Sequence, residues 1–409
     1  MPVLLSAPTS SGRRLVACLL SACALLLLAA PAAQALDRTA LRSSLSQQMR
    51  LAGTFAGAYV RDLDTGETIY ARKDTVPRPP ASVEKLYTTS TALLRFGPDE
   101  RLRTQVLATG AIDALGVWRG DLYLRGGGDP TLGQAQIAEL AAAIAALGVV
   151  RVDGSVLGDE SLFDGLRGAA RTGFAYDRDI GGVLSAVSVA NGFSRDGAPA
   201  KEAARRLAKA LRAIDVAVDG PSGAGAAPAE AQELAAVQSP PMADLVRQVN
   251  VFSDNFDAEM LLKGLGARFG GAGTTPAGGA VVRQQLAAVG VTPQVLDGSG
   301  LSRANRTSPR QVVHLLDHVL DQPVGPAFEA SLAVAGRTGT IRRRMRGTPA
   351  QDRCRVKTGT LRADSTLAGV CTTTAGRTVG FAFLMSTRNI ARAHRLQDRM
   401  TAAIATYGS

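Results

Sequence analysis

The length, composition and charge of the chain exclude several classes of protein. Of its 409 residues, 46% are hydrophobic and 20% are charged, which gives enough apolar material for a buried core and argues against a disordered chain. The three histidines form no metal-binding spacing, and no metal or other cofactor is expected. The net charge of +11 comes mostly from scattered arginines and aromatic residues are only 4%, so nucleic acid is not an expected partner. The arginine cluster at 342–346 is either a solvated surface or an attraction for an anionic substrate or cell surface.

The first 35 residues have the pattern of a secretory signal peptide. Arg13-Arg14 precede an apolar run at 15–30, and small residues at 33–35 follow, so cleavage is predicted after Ala35. The run is short for a membrane-spanning helix. The alternative is a lipoprotein signal that leaves Cys23 lipidated. We predict an exported, extracytoplasmic protein of the periplasm or cell-wall space, with no spanning segment after signal removal.

The region that follows is predicted to form a hairpin and then a helix. Residues 55–60 and 67–70 have the pattern of two strands, joined by the turn Asp64-Thr65-Gly66. A proline-rich stretch stops the sheet, and a helix is predicted from Ser82 to about Arg95.

Residues 101–230 have a different character. They combine short strands with two Ala-rich helices and end in a Gly- and Pro-rich segment, 220–228, that is typical of a flexible connection. Longer helices, three strands and a last helix follow. The order predicts an α+β domain built from 36–100 and 231–409, interrupted by an inserted accessory region at 101–230.

Three short motifs, each occurring once, form a set. They are Ser82-Val83-Glu84-Lys85, Ser253-Asp254-Asn255 and Lys357-Thr358-Gly359. Each is weak alone, whereas all three in this order after a signal peptide are a strong indication of nucleophilic catalysis. Arg337-Thr338-Gly339 is a near match to the third motif in loop-like sequence and is treated as a decoy.

The chemistry of the first motif explains why the others are needed. A serine hydroxyl is a poor nucleophile without an adjacent base, and Lys85 lies one helical turn from Ser82. A lysine acts as a base only if desolvation or a nearby cation lowers its pKa. Lys357, brought across the site, would lower the pKa of Lys85 and hold a substrate carboxylate.

The set resembles the motifs of penicillin-binding proteins and serine β-lactamases. Further stretches resemble the class C low-molecular-mass penicillin-binding proteins, the D-alanyl-D-alanine carboxypeptidase/endopeptidase family. They lie at 79–85, 121–132, 239–260, 297–303 and 357–361. The long separation of the first two motifs matches the inserted module of that family. The Glu-x-x-Leu-Asn motif of class A β-lactamases is not evident, since the nearest likeness is Glu259-x-x-Leu262-Lys263.

This resemblance implies a fold and a reaction. The fold is a transpeptidase domain of the β-lactamase and DD-peptidase type, an antiparallel sheet with helices on both sides, carrying a large mixed α/β insert. Ser82 would attack the peptide bond between two D-Ala residues, and Lys85 would take its proton. Ser253 would relay a proton to the leaving amine, and Asn255 would hold Lys85 and the substrate amide.

Recognition of the substrate is implied for the third motif. Lys357 and Thr358 would bind the terminal carboxylate, and Gly359 and Thr360 are the further substrate-binding residues of this motif. The backbone N–H groups of Ser82 and Thr360 would form the oxyanion hole. The loop 297–303 either lines the cleft or is a tight Gly-rich turn, and Asp254 is expected to stabilise its loop.

We therefore predict a serine-type D-Ala-D-Ala carboxypeptidase that acts on peptidoglycan stem peptides and is acylated by β-lactams, with cutting of cross-bridges as an endopeptidase left open. The alternatives are a β-lactamase or related serine esterase, and a wall-binding protein that has lost turnover. The inserted region supplies none of the motifs and is expected to be structural or substrate-guiding.

Cys354 and Cys371 are predicted to form a disulfide. They lie on consecutive strands, and setting them opposite each other centres the turn between Arg362 and Ala363. Because side chains alternate along a strand, Cys354 then faces the back of the sheet while Lys357 faces the cleft. The alternative is two buried free thiols.

Overall fold

The fold is that of a computed structural model, which describes residues 2–4, 35–194 and 196–408. The predicted signal peptide, 1–35, lies outside these ranges except for residues 2–4 and Ala35. Within the described ranges, none of the helices combines the length and apolar character that crossing a membrane requires.

The regular elements follow the order of the chain. The helices in the described residues are α1 (Arg38–Ala52), α2 (Lys85–Phe96), α3 (Gln134–Ala146), α4 (Pro199–Arg212), α5 (Met242–Phe252), α6 (Asn255–Phe269), α7 (Thr275–Ala287), α8 (Pro309–Leu320), α9 (Gly325–Ser331) and α10 (Ile390–Ala405). The strands are β1 (Ala56–Asp62), β2 (Thr68–Arg72), β3 (Arg103–Ala108), β4 (Ala111–Ile112), β5 (Val117–Arg119), β6 (Leu122–Arg125), β7 (Arg151–Val152), β8 (Val156–Asp159), β9 (Ala217–Val218), β10 (Ser222–Ala224), β11 (Gln232–Gln238), β12 (Ala333–Val334), β13 (Cys354–Leu361), β14 (Asp364–Thr372) and β15 (Thr378–Ser386).

Outside the inserted region, a six-stranded sheet in the order β12-β13-β14-β15-β1-β2 forms the centre of the fold, and all its pairings are antiparallel. Helices α1 and α10 cover one face, and α2, α5, α6 and α8 contribute to the core on the other. Neighbouring residues of β14 point to opposite faces of the sheet. Leu367 packs in the core beneath α1 and α10, and Ala368 packs in the core on the other face. A sheet covered on both faces explains why β14 is buried along nearly its whole length.

Helix α1 was not predicted from the sequence, because polar residues dominate it. Its apolar stripe consists of Leu41, Leu45 and Met49, spaced four residues apart and all fully buried. Asp37 caps the helix by accepting a hydrogen bond from the Ala40 backbone N–H at 2.8 Å. Both signals were present in the sequence in weak form.

The inserted region has its own core around a five-stranded sheet, β10-β8-β6-β3-β11, with a smaller sheet of β4, β5, β7 and β9. Its predicted end at residue 230 falls too early. Strand β11 pairs with β3, so the inserted sheet continues to Gln238. The predicted flexible connection, 220–228, contains β10, which pairs with β8. The strand is defined by its backbone hydrogen bonds to β8. It was not predicted because a Gly- and Ala-rich sequence has no side-chain pattern typical of a strand.

The two ends of the inserted region meet. The Ser239 backbone N–H donates to the Leu102 carbonyl oxygen at 2.8 Å, and the Leu102 N–H donates to the Ser239 Oγ at 2.9 Å. The Arg101 side chain also donates to the Ser239 carbonyl oxygen, at 2.9 Å. The segments of chain before and after the inserted region are therefore adjacent in space.

The two cysteines lie opposite each other in the β13–β14 pair, and the structure joins them by a disulfide. The turn between the strands holds Arg362 and Ala363, as the register predicts. Both cysteines are fully buried in the core beneath α1 and α10. The bridge therefore fixes the strand that carries the third motif from the side opposite to the cleft.

Replacing both cysteines, as Cys354→Ala with Cys371→Ala, should lower the free energy of unfolding by about 3 kcal/mol, because the bridge closes a loop of about 17 residues. Urea denaturation of the chain from residue 36 onward measures this. A thiol titration of the denatured, unreduced protein is the control. Two free thiols per chain would show that the bridge does not form.

Candidate active site

Lys85 lies at the centre of the site with its side chain fully buried. Its Nζ is 3.1 Å from the Ser82 Oγ, 2.6 Å from the Asn255 Oδ1 and 2.6 Å from the Ser299 carbonyl oxygen. The structure thus brings the first and second motifs into hydrogen-bonding distance. Ser299 belongs to the loop 297–303, which therefore lines the site.

Ser82 lies in a 3₁₀ turn, Ala81–Glu84, and not inside the α-helix that the sequence predicts from this residue onward. Lys85 is the first residue of α2, so serine and lysine remain one turn apart. Ala81 has a φ of 48°, in the left-handed region that a non-glycine residue adopts only at a cost of about 1–2 kcal/mol. This strained entry leaves Ser82 partly exposed above a buried lysine.

Two glycines allow the chain to close around the serine. A Cβ at Gly359 would lie 2.8 Å from the Ser82 backbone nitrogen and 2.2 Å from the Thr366 Oγ1. Gly300 has a φ of +83°, and a Cβ there would lie 2.0 Å from the Ala81 carbonyl oxygen. Strand β13 and the loop 297–303 can approach the turn this closely only because both residues lack a side chain.

The second motif is the junction between α5 and α6. Ser253 ends α5 with a φ of 61°. The Asp254 side chain accepts a hydrogen bond from the Asp257 backbone N–H at 3.0 Å and caps α6, so it stabilises the junction as expected. The tight junction lets Ser253 contact Lys357 while Asn255 contacts Lys85.

The third motif is brought to the second by its lysine. The fully buried Lys357 donates from Nζ to the Ser253 Oγ and to the Thr358 carbonyl oxygen, both at 2.8 Å. The Thr358 Oγ1 lies 2.7 Å from the Thr340 Oγ1. Thr360, two residues further along β13, is exposed. All the motif residues therefore converge on one cleft.

Burial controls the charge of both lysines. Desolvation lowers the pKa of Lys85 to about 8, although the nearby carboxyl groups of Glu259 and Asp297 act to raise it. Desolvation first, and the neighbouring Lys85 second, bring the pKa of Lys357 well below its usual value. A neutral amine at Lys85 is therefore accessible near neutral pH, as a general base requires.

A buried carboxyl group orients the peptide group that holds Lys85. The Asp297 Oδ1 accepts a hydrogen bond from the Gly300 N–H at 2.9 Å, and Ser299 supplies the carbonyl oxygen of that same peptide group to Lys85. Glu259 accepts from the Ser299 N–H at 2.9 Å. The three motifs do not include these two acids, because the acids act on the site through backbone N–H groups of the loop 297–303.

The inserted region reaches the site, which the sequence did not predict. The Asn255 Nδ2 donates to the Asp179 carbonyl oxygen at 2.7 Å, in the 3₁₀ turn Arg178–Ile180. Arg171 forms ion pairs with Asp177 and Asp179 at 2.5 Å and braces this turn. Because Asp179 contributes a backbone oxygen, no side-chain motif could have revealed it.

The segment treated as a decoy lies beside the site without repeating the third motif. Arg337 forms an ion pair with Asp352 at 2.6 Å. The next turn, Gly339–Ile341, packs against the end of α5 and presents Thr340 to Thr358. Thr340 is therefore a site residue that its proximity to the near-match motif could have indicated.

The site brings hydroxyl groups and amines together. Among residues 2–4, 35–194 and 196–408, no group of three or more His, Cys, Asp or Glu side chains has the arrangement of a metal site. His314, on α8, instead packs edge-on against Tyr59, with ring centroids 6.0 Å apart. The arrangement is suited to acyl transfer, since the Ser82–Lys85 pair and a second hydroxyl–amine contact, Ser253–Lys357, lie at one cleft.

Comparison with known families matches residues 38–177 and 179–407 to the D-Ala-D-Ala carboxypeptidase 3 (S13) family. The chain belongs to this family. Membership of the S13 family confirms the resemblance inferred from the motifs and the predicted activity class, a serine-type DD-peptidase acting on peptidoglycan.

Individual relatives agree with the S13 assignment. A D-alanyl-D-alanine carboxypeptidase from an Actinomadura species is 31% identical over 409 residues, covering 78% of this chain and 75% of the relative. Penicillin binding protein 4 from Haemophilus influenzae superposes with a TM-score of 0.79 at 20% identity, covering 89% of this chain and 99% of that one. Its complex with a novel β-lactam gives a TM-score of 0.75 at 20% identity, over 90% and 100% of the two chains. These superpositions confirm the predicted fold class.

The substitution Gly359→Ala should slow acylation by a fluorescent penicillin by about 100-fold, because the new methyl group would push β13 away from the Ser82 backbone nitrogen. The matched control is Gly264→Ala in α6, where a Cβ meets no atom within 4 Å. Acylation rates are compared at equal folded fractions. An unchanged rate in Gly359→Ala would show that this close approach does not matter to the site.

Proposed function

We propose that this S13 protein is exported and releases D-Ala from peptidoglycan stem peptides through an acyl-enzyme on Ser82. The observation that carries the proposal is the buried Lys85 Nζ, 3.1 Å from the Ser82 Oγ. An amine in that position can remove the hydroxyl proton as the oxygen attacks a carbonyl carbon.

The partners of Lys85 favour the direction of proton transfer. Asn255 Oδ1 and the Ser299 carbonyl oxygen can only accept hydrogen bonds. A neutral amine that satisfies both with its two N–H groups must turn its lone pair toward the third neighbour, the Ser82 hydroxyl. The base is therefore oriented before substrate binds, which lowers the entropic part of the barrier.

Acylation then proceeds in balanced steps. The Ser82 Oγ attacks the carbonyl carbon of the penultimate D-Ala, its proton passes to Lys85, and the backbone N–H groups of Ser82 and Thr360 stabilise the oxyanion. As the C–N bond breaks, Ser253 donates a proton to the leaving D-Ala amine and is re-protonated through Lys357, 2.8 Å away. The proton that Lys85 took from Ser82 passes through solvent to Lys357 and replaces the one given to Ser253. The neutral Lys85 then takes a proton from the attacking water and returns it to the Ser82 Oγ as the ester bond breaks, which releases the shortened peptide.

The substrate carboxylate is proposed to bind at the third motif. Lys357 has used two of its three N–H donors, on Ser253 and Thr358, so a third is left for a carboxylate oxygen. The hydroxyl of Thr358, paired with that of Thr340, provides a second donor. Gly359 keeps β13 close to the serine. This arrangement suits a peptide with a free C-terminus, and therefore a carboxypeptidase, better than an internal bond.

β-Lactams are proposed as covalent inhibitors, because the H. influenzae neighbour has been solved with one and its fold superposes on this chain. A β-lactamase or related serine esterase is the alternative, and it would differ in the rate at which the acyl-enzyme is hydrolysed. The extracytoplasmic location follows from the substrate and from the signal-like sequence at 1–35.

Ser82→Ala should abolish both fluorescent-penicillin labelling and D-Ala release, because it removes the attacking oxygen and leaves the buried lysine in place. The matched control is Ser90→Ala on α2, where the hydroxyl donates only to the Tyr87 carbonyl oxygen at 3.2 Å. Thermal unfolding of both variants checks the fold. Labelling that persists in Ser82→Ala would refute the nucleophile assignment.

The mass of the wild-type protein after penicillin separates the candidate functions. A long-lived adduct on Ser82 is expected for a DD-peptidase. A rapid return to the free mass indicates a β-lactamase, and no adduct indicates a binding protein without turnover.

The acylation rate should rise with pH and level off above about 8, because the neutral form of Lys85 is the base and burial lowers its pKa to about 8. Between pH 6 and pH 7 the rate should increase about tenfold, following the fraction of neutral amine. Stopped-flow measurement with a chromogenic β-lactam gives the profile. A rate that is flat across this range would contradict Lys85 as the base.

A further inference from the structure

A second cleft lies next to the second motif, between the inserted region and helices α5 and α6. Its volume is about 520 Å³, within the size range of small-ligand sites. The inserted region contributes Pro130, Thr131 and Asn191, and Phe252 and Asp254 contribute from the α5–α6 junction. The cleft adjoins the second motif, because Asp254 lies between Ser253 and Asn255, which contact Lys357 and Lys85.

Asp257 lines this cleft with a carboxyl group that has no partner. The residue is only 6% exposed, and its backbone N–H is used by the Asp254 cap. Within the described residues, no group donates a hydrogen bond to its side-chain oxygens and no cation lies within 4 Å. The side chain lines the cleft, so a ligand there that supplies N–H donors would satisfy its oxygens.

The charges that face Asp257 are predominantly negative. Asp254 lies at the start of α6, Asp129 lies in the inserted region, and Asp244 lines the cleft from α5. Burial, followed by the charges of Asp254 and Asp129, raises the pKa of Asp257 to about 7. The one cation of the lining, Arg247 on α5, forms no ion pair in the part of the chain that the structure describes, so it does not neutralise the group.

We propose that this cleft binds a primary alkylammonium group, with Asp257 as its principal partner. An ammonium group offers three N–H donors to the unpartnered carboxylate and reduces the repulsion among the acids. Phe252, 59% exposed at the lining, offers an aromatic face to a cation or to its alkyl stem. The proposal goes beyond the DD-peptidase reaction, in which Asp257 has no part, and does not depend on the role of Ser82.

The acid set is better suited to an ammonium group than to a metal ion. Asp254 already accepts from the Asp257 N–H, and Asp129 accepts from the backbone and side chain of Thr131 at 2.8 and 2.7 Å. The two remaining carboxyl groups, those of Asp257 and Asp244, fall short of the roughly six to eight oxygens that Ca²⁺ requires. No metal arrangement of three His, Cys, Asp or Glu side chains exists within the described ranges.

Isothermal titration of the wild-type protein with cadaverine tests the proposal, with pentane-1,5-diol as the neutral ligand of equal length. Cadaverine should bind, and its affinity should increase about tenfold from pH 6 to pH 8, because the cation binds the ionised form of Asp257. The diol should not bind. Nα-acetyl-lysine amide, titrated in parallel, shows whether the cleft accepts an alkylammonium group that is attached to a peptide backbone.

Asp257→Asn should weaken cadaverine binding at pH 8 by at least about tenfold and remove its pH dependence, because the amide cannot ionise. Asp321→Asn is the matched control on an exposed residue far from this cleft, and its affinity should equal that of wild type. Thermal unfolding confirms that both variants fold. No binding at pH 8, equal affinity in Asp257→Asn, or equal binding of the diol would each overturn the proposal.

Discussion

The removal of one lysine amine from water is the constraint on which the site depends. The proposed role of Lys85 as a base requires the burial that lowers the pKa of its amine, and Asn255 and the Ser299 carbonyl satisfy the N–H groups of the buried amine. These two acceptors come from distant parts of the chain. The loop 297–303, the α5–α6 junction and the start of α2 must therefore be held together within tenths of an ångström.

That requirement explains several features that otherwise look costly. Ala81 and Ser253 both adopt left-handed backbone conformations, one before the nucleophile and one at the end of α5. Asp297 is buried without an ion pair within 4 Å in the described chain, and it is stabilised by donors that include the Gly300 N–H. Each feature is unfavourable locally, and each places a group that contacts Lys85 or Ser82.

Side-chain patterns predicted the part of the structure that side chains determine. Within the described residues, the three motifs include every side chain that forms a hydrogen bond with Lys85 or Lys357. Strand alternation predicted the pairing of Cys354 with Cys371 and the opposite orientation of Lys357. Strand β10 was not predicted because its backbone pairing needs no particular residues. The hydrogen bonds that the carbonyl groups of Asp179 and Ser299 accept were not predicted for the same reason.

Weak patterns account for the remaining differences. Helix α1 buries three apolar residues at a helical spacing, but the many polar residues among them obscure the pattern in the sequence. The 3₁₀ turn at Ser82 differs from the predicted helix because tertiary contacts at Gly300 and Gly359 fix its path. Local propensity does not contain that information.

The order of strands in the central sheet has a consequence for how the protein is made. Strand β1 lies between β2 and β15. It therefore pairs on one side with a strand that is close in sequence and on the other side with residues near the end of the chain, as Ala56 does with Met385. Such distant contacts form late, after the loop entropy of the intervening chain has been overcome. Ser82 leaves the ribosome long before Lys357 and β15 exist. A chain that is still being synthesised therefore carries Ser82 without Lys357 beside it, and the complete cleft exists only when the last strand is in place.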